Sequence, residues 1–196
     1  MKKIEKIIND KGIITTKDIV KDYGSKINFY NYIKNNDFEQ ISRGIYAPKD
    51  AWIDPLMVAN IRCPKAIISH DTALYYYGLI DREPSTTTLT IYSGYNASKL
   101  KKTGYKVFFV KKELLDVGKT NVIDLDNNLI PMYDLERTMC DLVRNRSSFE
   151  IQDFTSALKA YVRRKDKNLT RLFEYAKLFK VEKIMMTYME TLLWWN

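Results

Sequence analysis

Lys26, Asn28, Tyr30, Asn31 and Lys34 follow closely on one another and are residue types that contact nucleic acid. Asparagine can hold an adenine edge through two hydrogen bonds, lysine reaches guanine or phosphate, and tyrosine bonds phosphate oxygens. On a helix with Phe29 and Ile33 turned inward at i,i+4, and Tyr32 beside them, these five residues share the outward side. Ile27 with Tyr30 gives a competing inward register. Arg43 follows at Arg43-Gly44, between two short strand-like runs, where a hairpin tip offers a phosphate or minor-groove contact. Any small surface helix is polar on one side, so it is the hairpin behind this helix that favours DNA.

The surrounding elements must place those side chains. Residues 3–8 (KIEKII) carry apolar positions at helical spacing, with Gly12 as a stop. Ile13-Ile14 is a short β-type run, and Thr15 or Thr16 offers an N-cap for TKDIVKDY, with Asp18 in its first turn and Gly24 closing it. Ser25 caps a helix over 26–35, strands are expected over 38–42 and 45–47, and Pro48 ends the run. Helix, strand, helix, turn, helix and hairpin is the order of a winged helix-turn-helix. The same elements also occur in protein-docking modules. We therefore expect a winged helix-turn-helix DNA-binding domain over 1–50.

From Asp54 the pattern changes. DPLMVANIRC and PKAIISHDTALYYYGL read as helices, the first with Asp54 before Pro55 at the first helical position, the second opened by Pro64 and closed by Gly78. Strands are expected over 87–92, 105–110, 122–125 and 129–132, and helices over 134–144, 149–163, 169–179 and 181–193. The expected fold class is α+β: the winged domain, then a mixed α/β domain over 51–196 with a helical C-terminal half.

Bulk composition limits the function classes. The 196 residues hold 45% hydrophobic and 13% aromatic residues, as a cored protein does. A formal charge of +8 favours a polyanionic partner, and the basic excess is distributed along the chain rather than gathered in a tail. Two cysteines, Cys63 and Cys140, are too few and too far apart for a metal cluster of ordinary spacing and read as buried free thiols in a reducing compartment. MKKIEKIINDKG lacks the apolar stretch of a signal peptide, and no run reaches the ~18 apolar residues of a membrane span. A soluble cytoplasmic protein is expected.

Catalytic patterns are weak. His70-Asp71 are helix neighbours pointing to different sides, so the histidine reads as a structural residue with a helical hydrogen-bond partner. Asp124 and Asp126 would share a strand face, as paired metal-binding carboxylates do, but Asp126-Asn127-Asn128 reads as a turn. None of the nine glutamates begins a Glu-x-Lys motif of a metal-dependent nuclease, and phosphate-binding glycine patterns are missing. No enzyme activity, metal or cofactor is expected. Asp134, Glu136 and Arg137 read as a charged helix start with an intramolecular ion pair. Tyr75-Tyr76-Tyr77 reads as a helix between two packed layers, and Trp194-Trp195 as docked on the body. Arg163, Arg164, Lys165 and Lys167, with Arg171 beyond them, form the densest basic cluster and a second nucleic-acid surface for consideration beside a plain solvated face.

Three stretches in this order resemble the AbiEi family, antitoxins of bacterial type IV toxin–antitoxin and abortive-infection systems. They are Ile41-Ser42-Arg43-Gly44-Ile45-Tyr46-Ala47-Pro48 at the end of the winged pattern, the run from Ile68 to Leu79 (ISHDTALYYYGL), and the run from Tyr133 to Leu142 (YDLERTMCDL). The resemblance implies an autorepressor, monomeric when free and cooperative on inverted repeats of promoter DNA. It also implies a C-terminal domain that counters an AbiEii-like, nucleotidyltransferase-like toxin without requiring a stable complex. The rivals are a ligand- or oligomerisation-controlled transcription factor, a metal-dependent nuclease and a protein-docking winged helix.

Overall fold

The computed structural model describes residues 12–18, 26–123 and 127–194. The helix expected over 3–8, most of the TKDIVKDY helix with its Gly24 stop, the Ser25 cap and the Asp124/Asp126 pair lie outside them. The fold is mixed α+β. The chain divides into two compact units, residues 1–62 with 123–130 and residues 63–122 with 131–196.

The first unit holds β1 (Ile14–Thr15), α1 (Lys26–Asn35), β2 (Phe38–Ser42), β3 (Ile45–Pro48) and α2 (Pro55–Arg62). Thr15 and Asp18 cap each other reciprocally: Thr15 Oγ1 accepts from Asp18 N at 3.2 Å, and Asp18 Oδ2 accepts from Thr15 N at 3.1 Å. This capping box starts a helix at Thr16, and such a cap stabilises by about 1 kcal/mol. The strands form an antiparallel sheet in the order β1-β3-β2. Its hairpin register shifts between Gln40 and Ser42, and the turn falls at Arg43-Gly44. Gly44 has φ +76°, and a Cβ there would sit 3.0 Å from Thr16 Oγ1, so the turn needs glycine. Ile14, Phe29, Ile33 and Tyr46 form the small core, flanked by Tyr32 and Phe38. Asp54 Oδ1 accepts from Leu56 N at 2.8 Å and caps α2, where the fixed φ of Pro55 suits the first turn.

The second unit is built on a five-stranded sheet in the order β6-β5-β4-β8-β7. Its strands are β4 (Ile67–Ile68), β5 (Thr88–Tyr92), β6 (Lys106–Val110), β7 (Lys119–Ile123) and β8 (Leu129–Tyr133), the last two continuing into residues 123–130. Its helices are α3 (His70–Tyr76), α4 (Ser98–Lys102), α5 (Leu135–Arg144), α6 (Ile151–Arg163), α7 (Leu169–Leu178) and α8 (Glu182–Trp194). The main core gathers α3, α5, α6, α7 and α8 around Leu74, Met139, Leu142, Ala157, Leu172, Ala176 and Met185.

One expectation fails in an instructive way. The run expected as a single helix from Pro64 to Gly78 is a turn, the central strand β4, and then α3 of only seven residues. Ile67 and Ile68 are both buried; Ile67 pairs with Thr90, and Ile68 lies between Leu89 of antiparallel β5 and Met132 of parallel β8. A short apolar run has no periodicity that separates strand from helix, so the neighbours on either side decide. Ser69 continues the ladder to Thr88 O, and His70 at φ +49° swings the chain from strand into helix. The tyrosine run is also not sandwiched between layers: Tyr75 and Tyr76 are exposed, and only Tyr77 is drawn inward, donating to Tyr133 O at 2.9 Å. Helix α4 was not expected, because Leu100 is its only buried residue.

Candidate functional site

Helix α1 settles its own register. Phe29 and Ile33 are buried, while Ile27 is 72% exposed, which excludes the register that turns Ile27 inward. Asn28, Asn31 and Lys34 are exposed and lie on the outer side, and the helix contains no acidic residue. Tyr30 is shared between the outside and the hairpin. It remains 49% exposed, yet its ring lies 5.4 Å from Phe29 and 6.4 Å edge-on to Tyr46. Burial, with the Tyr30 hydroxyl nearby, raises the Tyr46 pKa. Lys26 begins α1, but its side chain lies outside the described residues. Arg43 is exposed at the hairpin tip, with no ion pair among the described residues. Asn28, Asn31, Lys34 and Arg43 are therefore solvent-facing donors on a helix and hairpin that share one core.

The second basic cluster is largely occupied by its own fold. Arg164 is the C-cap of α6 and grips Asp166 with two bonds of 2.8 and 2.7 Å while donating to Tyr77 O at 2.8 Å. That pairing raises the Arg164 pKa and lowers that of Asp166. Lys167 donates to Arg164 O at 2.8 Å, and Arg171 faces the buried Glu136 carboxylate at 3.9 Å. Arg163 and Lys165 are exposed. These contacts fasten the α6–α7 connection, leaving two of the five cations without such a bond among the described residues.

His70 is a fully satisfied buried residue. Its ring stacks on Phe108 at 3.6 Å with an interplanar angle of 10°, and Phe149 lies on a near-parallel plane at 6.4 Å. The amide nitrogen of Asn145 donates to His70 Nε2 at 3.0 Å and to Asp141 O at 3.1 Å, which fixes the amide orientation because the carbonyl can only accept. Nδ1 then carries the proton and donates to Ser69 Oγ at 2.9 Å, which lies 2.8 Å from Thr90 Oγ1. Burial, with the positive charges of Arg137, Lys106 and Arg144, holds the pKa well below 6.5. Asp71 points elsewhere and pairs with Lys106 at 2.7 Å. The partners expected from a helix are thus replaced by a strand end and the Asn145 amide, and the ring has no solvent face from which to act on a substrate.

The charged start of α5 goes deeper than its sequence suggests. Asp134 is the N-cap and accepts from Arg137 N at 2.8 Å, while Tyr175 Oη donates to its other oxygen at 3.1 Å. Arg137 and Asp141 pair at 3.1 Å with side chains 0% and 1% exposed. The guanidinium is sandwiched between the rings of Tyr133 and Phe179, at 3.7 and 4.0 Å from their centroids. Its Nη1 donates to Leu114 O at 3.2 Å and Val117 O at 2.6 Å, and Tyr133 Oη donates to Leu115 O at 2.8 Å. Nη2 has no partner among the described residues. Gly118, at φ +74°, lets the chain pass close beneath: a Cβ there would meet Arg137 Cβ at 2.4 Å. Burial outweighs Arg137 and raises the Asp141 pKa, so this pair shapes the loop rather than adding charge stabilisation. Glu136 Oε1 accepts from Asn168 N at 2.8 Å and closes the link to α7.

Both thiols are free and buried, and burial raises their pKa values. Among the described residues no group of three His, Cys, Asp or Glu side chains is placed to hold a metal ion, and no helix is long and apolar enough to cross a membrane.

No protein-family model and no curated protein matches the chain. Among solved structures it is similar to the Rv2827c protein from Mycobacterium tuberculosis, with a TM-score of 0.63 at 16% identity over 89% of this chain and 69% of that one. At that identity the likeness is one of fold.

Proposed function

We propose that the chain is a bacterial antitoxin that represses its own type IV operon, reading inverted repeats through a winged helix formed by the first unit. The observation that carries this is the β1-β3-β2 sheet with α1 packed on it through Phe29 and Ile33, leaving Asn28, Asn31 and Lys34 facing solvent and Arg43 at the hairpin tip. An outer helix face without an acidic residue suits a phosphate-lined groove, where carboxylates would be repelled. Asparagines supply base discrimination, and Lys26, Lys34 and Arg43 supply salt-dependent affinity. The second unit counters an AbiEii-like toxin without a stable complex, as the resemblance of its HDTALYYYGL and DLERTMCDL segments to AbiEi antitoxins implies. The exposed side chain of Ile27 on the same helix favours a second reading, in which this face docks a protein.

The test is a mobility-shift titration on the DNA upstream of the chain's own gene, against scrambled competitor at two salt concentrations. A specific shift is expected, and Arg43→Ala should reduce the slope of log affinity against log salt by about 0.9 for one lost phosphate contact. Absence of any specific shift overturns the operator reading and favours docking through Ile27. Co-expression with the neighbouring toxin gene tests the antitoxin half: unrelieved growth arrest refutes it.

A further inference from the structure

We infer that a lysine-lined cavity in the second unit binds a small phosphorylated molecule of about mononucleotide size. The cavity, about 290 Å³, is bounded by Lys65, Lys112 and Lys119, with Tyr92 and Leu115 alongside and Asp116 as its one acidic residue. Its volume lies just below the ~300–1,000 Å³ typical of ligand sites, which suits a small anion.

Charge and rigidity both point to this ligand. Seven lysines and two acidic residues occur between Tyr92 and Lys119. Glu113 lies 3.9 Å from Lys111 and Asp116 lies 3.5 Å from Lys119, whereas Lys65 and Lys112 have no carboxylate partner among the described residues. With Asp116 set against Lys119, Lys65 and Lys112 leave the hollow with a net positive charge, which a phosphate dianion neutralises through charge-assisted hydrogen bonds. Lys112 is held over the Tyr92 ring, 6.0 Å from its centroid, and that ring offers an aromatic surface beside the anion. The wall carrying Leu115, Asp116 and Lys119 is not free to collapse. Arg137 holds Leu114 O and Val117 O from behind, Tyr133 holds Leu115 O, and Gly118 fits where no Cβ would. A loop fixed by a buried guanidinium holds the backbone that carries Lys112 and Lys119 in place, which lowers the cost of binding. The buried ion pair, which adds little stability, thereby acquires a positioning role. This site lies apart in sequence from the α1 face and stands or falls independently of operator binding.

Isothermal titration of the full chain at low ionic strength, with AMP, adenosine and inorganic pyrophosphate as probes, tests the assignment. AMP and pyrophosphate are expected to bind and adenosine not to, with Lys65→Ala/Lys112→Ala weakening AMP at least tenfold. Lys99→Ala/Lys102→Ala removes the same charge from exposed positions outside the cavity and should change affinity by less than twofold. Both variants alter surface lysines, and their melting curves verify that they fold. Equal weakening by the two pairs would reduce the effect to general polyanion attraction and overturn the site. So would adenosine binding as well as AMP, or the absence of binding by both phosphate probes. A short DNA duplex that binds through these lysines while AMP does not would also overturn it.

Discussion

His70 is the only histidine in the chain, so its protonation can be followed without overlap. In the folded protein both ring nitrogens are engaged as a neutral imidazole and its pKa lies well below 6.5; in the unfolded chain it returns to about that value. Between pH 6.5 and the folded pKa the unfolded state binds a proton that the folded state refuses. Stability from this group is therefore present above pH 6.5 and lost as pH falls below it. For a ring that stays neutral when folded, the loss between pH 7.0 and pH 5.5 is about 1.2 kcal/mol. Asp141 works in the opposite direction, because its raised folded pKa makes the native state take up a proton first and gain stability on acidification. The decisive quantity is therefore the difference between the wild type and His70→Asn, a variant whose side chain tolerates φ +49°. Urea unfolding of both at pH 7.0 and 5.5 should show the wild type losing about 1.2 kcal/mol more than the variant, whatever their absolute stabilities. The imidazole proton resonance of the folded protein should also stay constant across that range. A titrating resonance, or equal losses in the two proteins, would refute the buried neutral histidine.

Arg137→Met strands the Asp141 carboxylate in the core and should cost about 3–5 kcal/mol in urea unfolding, while Arg137→Met/Asp141→Leu should recover most of that. A double variant as unstable as the single would show that packing on Tyr133 and Phe179, rather than the charge, was lost. Gly118→Ala drives a Cβ into Arg137 at a left-handed backbone position and should destabilise by about 2 kcal/mol or more, read as a lower urea midpoint; a neutral effect would refute the close approach. Asn31→Ala should reduce operator preference by roughly 1–3 kcal/mol, measured by competition mobility shift, without changing thermal stability, because the residue is exposed.

The described elements of the first unit were legible because their signals are local. Thr15 with Asp18, Phe29 with Ile33, Arg43-Gly44 and Asp54-Pro55 each specify a cap, a buried stripe, a turn or a helix start within a few residues. Even the uncertain register of α1 needed only the exposure of Ile27 to resolve it. The strands over 88–92 and 106–110 and the helices α5 to α8 were likewise visible from periodicity and turn residues. The β4 strand was not, since two isoleucines among helix formers become a strand only when β5 and β8 offer hydrogen bonds on both sides. Nor could the cluster Arg163 to Arg171 reveal how much of its charge is spent at home: Asp166 is two residues from Arg164, but Tyr77 O is 87 residues away and Glu136 is 35 residues from Arg171.

The sequence by itself determined the α+β class, most of the element types, two candidate inward faces of α1 and a positive net charge that favours a polyanion, because those depend on side-chain period, backbone propensity and composition. Tertiary structure alone decided which charges are buried and which are offered. Arg137 and Lys112 are both cations of the second unit, yet one is enclosed by Tyr133, Phe179 and Asp141 while the other borders a cavity. The difference is one of desolvation and partner geometry, and those belong to contacts between residues far apart in the chain.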